Sequence, residues 1–245
     1  MFVKNGVLED YNRKILGNIN SNMITYEQFI KEGVYDLNIF KAVFMAGGPG
    51  SGETHIASRT AGGLGLKAIN SDDAFERILK KEGLSLKMPD SETAERDPLR
   101  AKAKRATVKK QDAAVIGRLG LLIDGTGHKY DELTNRAALL SQLGYETSMI
   151  FVNTSLEVSL YRNEKRTRSV QPKLVKKSWK DVQANMGKFQ NYFGAANFFI
   201  VDNNGFEEDR LDISTKYIRK AISKPVKNAI ATAWIANEMK KKRRT

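Results

Sequence analysis

Seven residues concentrate the chemistry of this chain: Gly47-Gly48-Pro49-Gly50-Ser51-Gly52-Glu53, five of them glycine or proline. Before them lies a short apolar run, Ala42 to Ala46. After them comes Thr54-His55-Ile56-Ala57-Ser58-Arg59, which reads as the opening turns of a helix. Strand, glycine loop and helix in that order make an anion cradle. Glycines let bare backbone N–H groups wrap the anion, and the helix N-terminus turns its dipole toward negative charge. The phosphate-binding P-loop spacing G-x-x-x-x-G-K-[ST] is met by Gly47, Gly52 and Thr54. A flexible surface turn would explain the glycines but does not require Thr54 directly after Gly52. Thr54 would place its hydroxyl on a magnesium ion. Position 53 departs from the pattern, with glutamate where lysine belongs. A carboxylate there faces phosphate charge, and two like charges about 4 Å apart at an effective dielectric of about 20 repel by roughly 4 kcal/mol. Either activity is lost or strongly reduced, or the glutamate swings away and another cation substitutes.

The elements around the loop place further candidates at one edge. Leu66–Asn70 reads as a second strand that delivers Ser71-Asp72-Asp73 to its C-terminal end, where open α/β sheets bind ligands. Two adjacent carboxylates equally suit the N-cap of a helix over Ala74–Lys81. Both roles fit if Asp72 acts and Asp73 caps. Gly120–Gly127 is an apolar run ending in Asp124, a Walker-B-like acid that would hold magnesium directly or through water. A helix over Asp131–Leu143, stopped by Gly144, and a strand over Thr147–Val152 come next. Arg162 and Arg166, four apart, share a helix face. Arginine suits bidentate phosphate contacts and can stabilise charge on a transferred phosphoryl group; the alternative is an exposed basic helix, against which stands the absence of any acid between Lys165 and Lys180. A helix over Ser178–Phe193 and a fifth strand over Asn197–Asn203 complete the pattern. The remainder reads as helical and ends in a basic tail, Lys240–Arg244, expected to be mobile.

The chain has 245 residues, 41% of them hydrophobic, enough for one core with extensions. The expected division is an N-terminal extension over 1–40, a core with a lid over 41–203 and a C-terminal helical region over 204–245. In the first, Thr25 and Gln28 form a capping box for a short helix from Tyr26 to about Lys31. No apolar run reaches the length of a membrane span, and the first residues lack a signal-peptide core. Cysteine is absent, which excludes disulfides and thiolate metal sites and fits a cytoplasmic protein. Two histidines argue against a histidine-built metal centre. A net charge of +13 favours polyanionic partners, nucleotides or nucleic acid among them, or serves solubility alone. Six lysines and arginines fall between Arg100 and Lys110 on a helix predicted from Leu99. They form either a solvated face or a wall of an acceptor site.

Gly47–Thr54, Asn70-Ser71-Asp72-Asp73, Leu122-Ile123-Asp124-Gly125-Thr126 and Arg162-Asn163-Glu164-Lys165-Arg166 occur in the order and approximate spacing of two related kinase groups. Over about residues 41–203 the chain resembles the zeta toxin family and the 5′-kinase domain of bacteriophage polynucleotide kinase. It is also similar in overall look to zeta-toxin-like kinases encoded by tailed phages. The resemblance implies an α/β P-loop NTPase fold, a five-stranded parallel sheet flanked by helices, with a helical lid. It implies ATP- or GTP-dependent transfer of a γ-phosphoryl group to an acceptor hydroxyl, on a polynucleotide 5′ end, a nucleoside or a nucleotide-sugar, in a host cytoplasm. Gly47, Gly48, Pro49, Gly50, Ser51, Gly52, Glu53 and Thr54 would bind the nucleotide, and Thr54 and Asp124 the magnesium ion. Asp72 would be the general base, Arg166 the phosphate clamp, with Arg162 and Arg168 closing beside it. Because the family's lysine is Glu53 here, two alternatives stand: an inactive pseudokinase, or a basic nucleic-acid-binding structural protein on the same fold.

Overall fold

The computed structural model describes residues 34–87, 89–125, 127–166, 169–205 and 208–243. The helix predicted at 26–31 lies outside them, as do Thr126 and Arg168. In chain order the elements are β1 (Lys41–Gly47), α1 (Glu53–Ala61), β2 (Lys67–Ile69), α2 (Ser71–Lys81), α3 (Thr93–Ile116), β3 (Leu121–Gly125), α4 (Tyr130–Gln142), β4 (Glu146–Asn153), α5 (Leu156–Lys165), α6 (Pro172–Phe193), β5 (Phe198–Asp202), α7 (Glu208–Ile222) and α8 (Ala229–Lys242). All five strands run parallel in the order β2-β3-β1-β4-β5.

The apolar runs explain the sheet. A parallel strand covered by helices on both faces has no polar side to show, and all seven residues of β1 are buried. Alternation along β1 feeds two cores. Ala42, Phe44 and Ala46 join Leu121, Ile123, Phe151 and Phe189 on one face. Val43 and Met45 join Ile56, Leu122, Ile150 and Val201 on the other. The central strand therefore ends between β3 and β4 with its loop at the carboxyl edge, where the strand order reverses and ligands bind. A third, smaller cluster of Phe75, Leu79 and Ala103 joins α2 to α3. Ala231 and Trp234 of α8 pack onto the first core, with the Trp234 ring 5.6 Å from Phe40. No helix among the described residues is long and apolar enough to cross a membrane.

The strands fall where they are expected, and the differences lie at helix ends. Helix α2 begins at Ser71, and its N-cap is Asn70, whose Oδ1 accepts the Asp72 N–H at 2.7 Å, so Asp73 does not cap it. Helix α3 starts six residues before the predicted Leu99 and carries Pro98 inside its second turn. Lacking an N–H, Pro98 leaves only the Ala94 carbonyl without its helical donor, a loss the first turns of a long helix tolerate. Helix α6 begins at Pro172, not Ser178, because proline suits a first helical position. Lys240–Lys242 are the last turn of α8, where cations complement the helix dipole, so the predicted mobile tail begins as helix.

Candidate nucleotide and acceptor site

Two glycines of the loop hold conformations that other residues adopt poorly, with φ +84° at Gly50 and +93° at Gly52. A Cβ on Gly50 would stand 2.6 Å from the Ser159 carbonyl oxygen, and one on Gly52 2.7 Å from Asn203 Nδ2. The loop is thus wedged against α5 and the end of β5. Asn203 donates from Nδ2 to the Ser51 carbonyl and from its backbone N–H to Asn153 at 2.8 Å. Trp179 of α6 donates its indole N–H to the Thr154 carbonyl at 2.8 Å. A Cβ on Gly48 would lie 3.3 Å from its Cδ1. Thr54 sits next in the first turn of α1.

Glu53 stays in the loop. It is 7% exposed, it accepts a hydrogen bond from Ser51 Oγ, and its carboxyl carbon lies 3.0 Å from where a Gly47 Cβ would be. The side chain therefore folds back across the loop and does not swing away. Burial, and next the nearby Asp124 carboxylate, push its pKa from the ordinary 4.5 up to about 8, against the pull of Ser51, its own backbone N–H and Arg166.

Asp124 closes β3 opposite Met45 of β1 and accepts from Asn70 Nδ2 at 2.8 Å. Asn70 thus caps α2 with its oxygen and holds the strand-end acid with its nitrogen. Asp72 accepts from Arg100 Nη1 at 2.5 Å. The Arg100 guanidinium carbon lies 4.8 Å over the Phe75 ring. Glu53, Asp72, Asp124 and Arg166 line one cavity of about 250 Å³ with Pro49 and Gly50.

The lid arginines part company. Arg166 is the C-cap of α5, with ψ 146°, so it does not continue the helix face of Arg162. It reaches the cavity, and Lys87 Nζ donates to its carbonyl at 3.1 Å. Arg162 turns to the loop after β5, donating to the Asn203 carbonyl at 2.9 Å and to Gly205 at 3.5 Å. Between them in sequence, Asn163 exchanges two hydrogen bonds with Val170, at 2.7 and 2.9 Å.

Asn70, Lys104, His128 and Arg136 also face this cavity; Asn70 opens the Asn70–Asp73 block and Lys104 belongs to the basic helix read as a solvated face or an acceptor-site wall, whereas the sequence alone assigns His128 and Arg136 no role. Burial, and next Lys129, lower the His128 pKa below its usual value. Among the described residues no three histidine or acidic side chains converge. The oxygen donors of Asp124 suit magnesium, which takes one or two protein ligands and completes its shell from phosphate and water.

A glycine loop between the central strand and α1 of a five-stranded parallel sheet, with a strand-end acid beside it, defines a P-loop protein of kinase-like α/β fold. The chain belongs to the AAA domain family, whose profile matches residues 43–189, more than half its length. A provisionally assigned kinase from Chloroflexus aurantiacus j-10-fl shares this fold, with TM-score 0.51 at 16% identity over 75% of this chain and 98% of that one. A chain from the PezAT toxin–antitoxin system of Streptococcus pneumoniae aligns at TM-score 0.48 and 15% identity over 98% of both. Shikimate kinase from Acinetobacter baumannii aligns at 0.45 and 17% identity over 80% of this chain and 100% of that one. No protein of curated function matches the chain in sequence.

Proposed function

We propose that the chain binds ATP or GTP with magnesium in the Gly47–Thr54 loop, and that its cleft is a phosphotransferase site of zeta-toxin and polynucleotide-kinase type, attenuated by Glu53. In this reading the γ-phosphoryl group passes in line to an acceptor hydroxyl, on a polynucleotide 5′ end, a nucleoside or a nucleotide-sugar. The observation that carries it is the meeting of four groups in one cavity: the loop, Asp124, Asp72 and Arg166. The loop amides and the α1 dipole hold the phosphates. Thr54 and Asp124 would hold magnesium, which neutralises phosphate charge when bound. Asp72 takes the hydroxyl proton, and Arg166, aided by Arg168, meets the transferring group. Arg162, turned to the Asn203 carbonyl, fixes the loop after β5 on this side of the nucleotide.

A second reading has its own support. Glu53 puts no positive charge where a loop lysine would meet the phosphates, being protonated below about pH 8 and repelling them only above it, which favours a nucleotide-binding pseudokinase. One experiment separates the two. Transfer of radiolabelled γ-phosphate to the three acceptor classes is measured with the chain as it stands and with Glu53→Lys. Transfer that appears or rises with lysine, and that Asp72→Asn then lowers by roughly 10²–10⁴-fold, supports the kinase reading. No transfer in either protein, with nucleotide bound, leaves the pseudokinase.

A further inference from the structure

Helix α3 presents Arg100 and Lys104 to the cavity, one turn apart on the same face. Their situations differ. Arg100 is engaged by Asp72 at 2.5 Å, and both side chains keep about a third of their exposure, 34% and 32%. The guanidinium lies over the Phe75 ring, and Arg100 lines the cavity. Lys104 is exposed and has no acidic partner among the described residues. An arginine seated on an aromatic ring, with an uncommitted lysine one turn on, is a receptor for an anion. At present the anion in it is the protein's own Asp72.

That arrangement conflicts with the role of Asp72. A carboxylate held by a guanidinium is a poor proton acceptor, because the ion pair favours its charged form. The conflict disappears if something else takes the arginine. We infer that the acceptor carries its own anionic group, a phosphate or a carboxylate, which displaces Asp72 from Arg100, seats between Arg100 and Lys104, and so releases Asp72 toward the acceptor hydroxyl. The inference rests on the proposed transfer reading and names its substrate class. The exchange is within reach: a partly exposed ion pair is weak, and an incoming phosphate or carboxylate gains the fork of Arg100 and the charge of Lys104 together. A neutral acceptor leaves the latch closed. The device makes readiness of the base depend on the ligand that needs it.

The test uses the full chain with magnesium and ADP present to occupy the loop, and measures binding by ligand-detected NMR. The probes are ribose 5-phosphate, ribonate and ribose, which share hydroxyls and differ in the anion. One of the charged probes is expected to bind about tenfold or more tighter than ribose, and which one binds decides between phosphate and carboxylate. Lys104→Gln should weaken that probe roughly fivefold or more. Asp72→Asn should tighten it by roughly two- to fivefold, because the internal competitor has lost its charge. A pair that only braces α2 against α3 gives the opposite or no change. Equal binding of all three probes, no binding of either anion, or unchanged or weaker binding in Asp72→Asn overturns the inference. Loss of ADP binding in the same sample overturns the nucleotide reading instead, and the probe titrations, repeated without nucleotide and checked with Lys104→Gln, still decide the anion site.

Discussion

On the loop side of the cleft, every residue of β1 is buried, two core layers meet behind it, and the edge holds two acids, the buried Glu53 and Asp124. On the opposite side, α2 and α3 share a core of three buried residues, Phe75, Leu79 and Ala103, and the edge carries base: Arg100 and Lys104. A phosphate cradle would ordinarily hold the positive charge of its lysine. Here the loop wall holds Asp124 and a Glu53 that is neutral below about pH 8, and the cations Arg100 and Lys104 lie across the gap, the first beside Asp72. The rigid wall thus sets geometry without supplying a cation, and the lightly built wall carries the arginine and the lysine. Elements with few buried contacts open locally at lower free energy than core strands, so the wall with these cations is also the one free to adjust.

The comparison can be broken at Glu53, where the largest effect is expected. Its folded pKa of about 8 lies above the ordinary 4.5. Between those values the folded chain keeps a proton that the unfolded chain has released, so stability falls as pH rises across that window. Glu53→Gln keeps the Ser51 contact and removes the fall, a gain of up to about 5 kcal/mol above pH 8 and little below pH 4.5. Chemical denaturation in chelator-treated buffer at both ends of the window measures it, and an equal gain at both ends defeats the burial argument. Glu53→Lys acts next, on ligand preference. Above pH 8, where Glu53 is ionised, the chain as it stands should bind the magnesium diphosphate at least as well as the triphosphate, and lysine should raise triphosphate affinity by about 4 kcal/mol, roughly three orders of magnitude. Calorimetric titration of both nucleotides checks this. Tight triphosphate binding with Glu53 in place would assign the lysine's task to Arg166.

The other wall answers to smaller changes. Leu79→Ala empties a third of the α2–α3 core and should cost about 2–4 kcal/mol. Amide exchange should then speed in α2 and α3 while β1 and β4 keep their protection; uniform loss would mean the wall is not separable from the main core. Asn70→Ala removes the α2 cap and the hold on Asp124 at once. We expect a loss of about 1–2 kcal/mol, and a smaller effect would show that the two walls are joined elsewhere.

How much the sequence discloses depends on the range of the forces. The five strands are legible as apolar runs because a doubly covered sheet demands them, and Gly47, Gly52 and Thr54 are legible because a phosphate loop has fixed spacing. Helix starts are less so. The helix predicted from Leu99 in fact takes in Pro98, since only tertiary contact decides whether one missing bond matters. Asn70 stands before two more acidic candidates, and nothing local ranks it as the cap. The Asp72–Arg100 pair spans 28 residues with no shared period. Its one available hint is the spacing of Arg100 and Lys104, which a solvated helix shows equally. Arg162 and Arg166 have helical spacing, but the helix ends between them, and the direction of a C-cap depends on the contacts of the chain beyond it.

The contact of Trp179 with the loop has an optical consequence. The chain has two tryptophans. Trp234 emits from beside Phe40 and Arg118, on the α8 side of the first core, whereas Trp179 is hydrogen-bonded to Thr154 and lies against Gly48. Anything that reshapes the loop alters the surroundings of one indole and leaves the other as an internal standard. With Trp234 replaced by phenylalanine, the remaining fluorescence becomes a single-site gauge of loop occupancy, built into the fold and requiring no label.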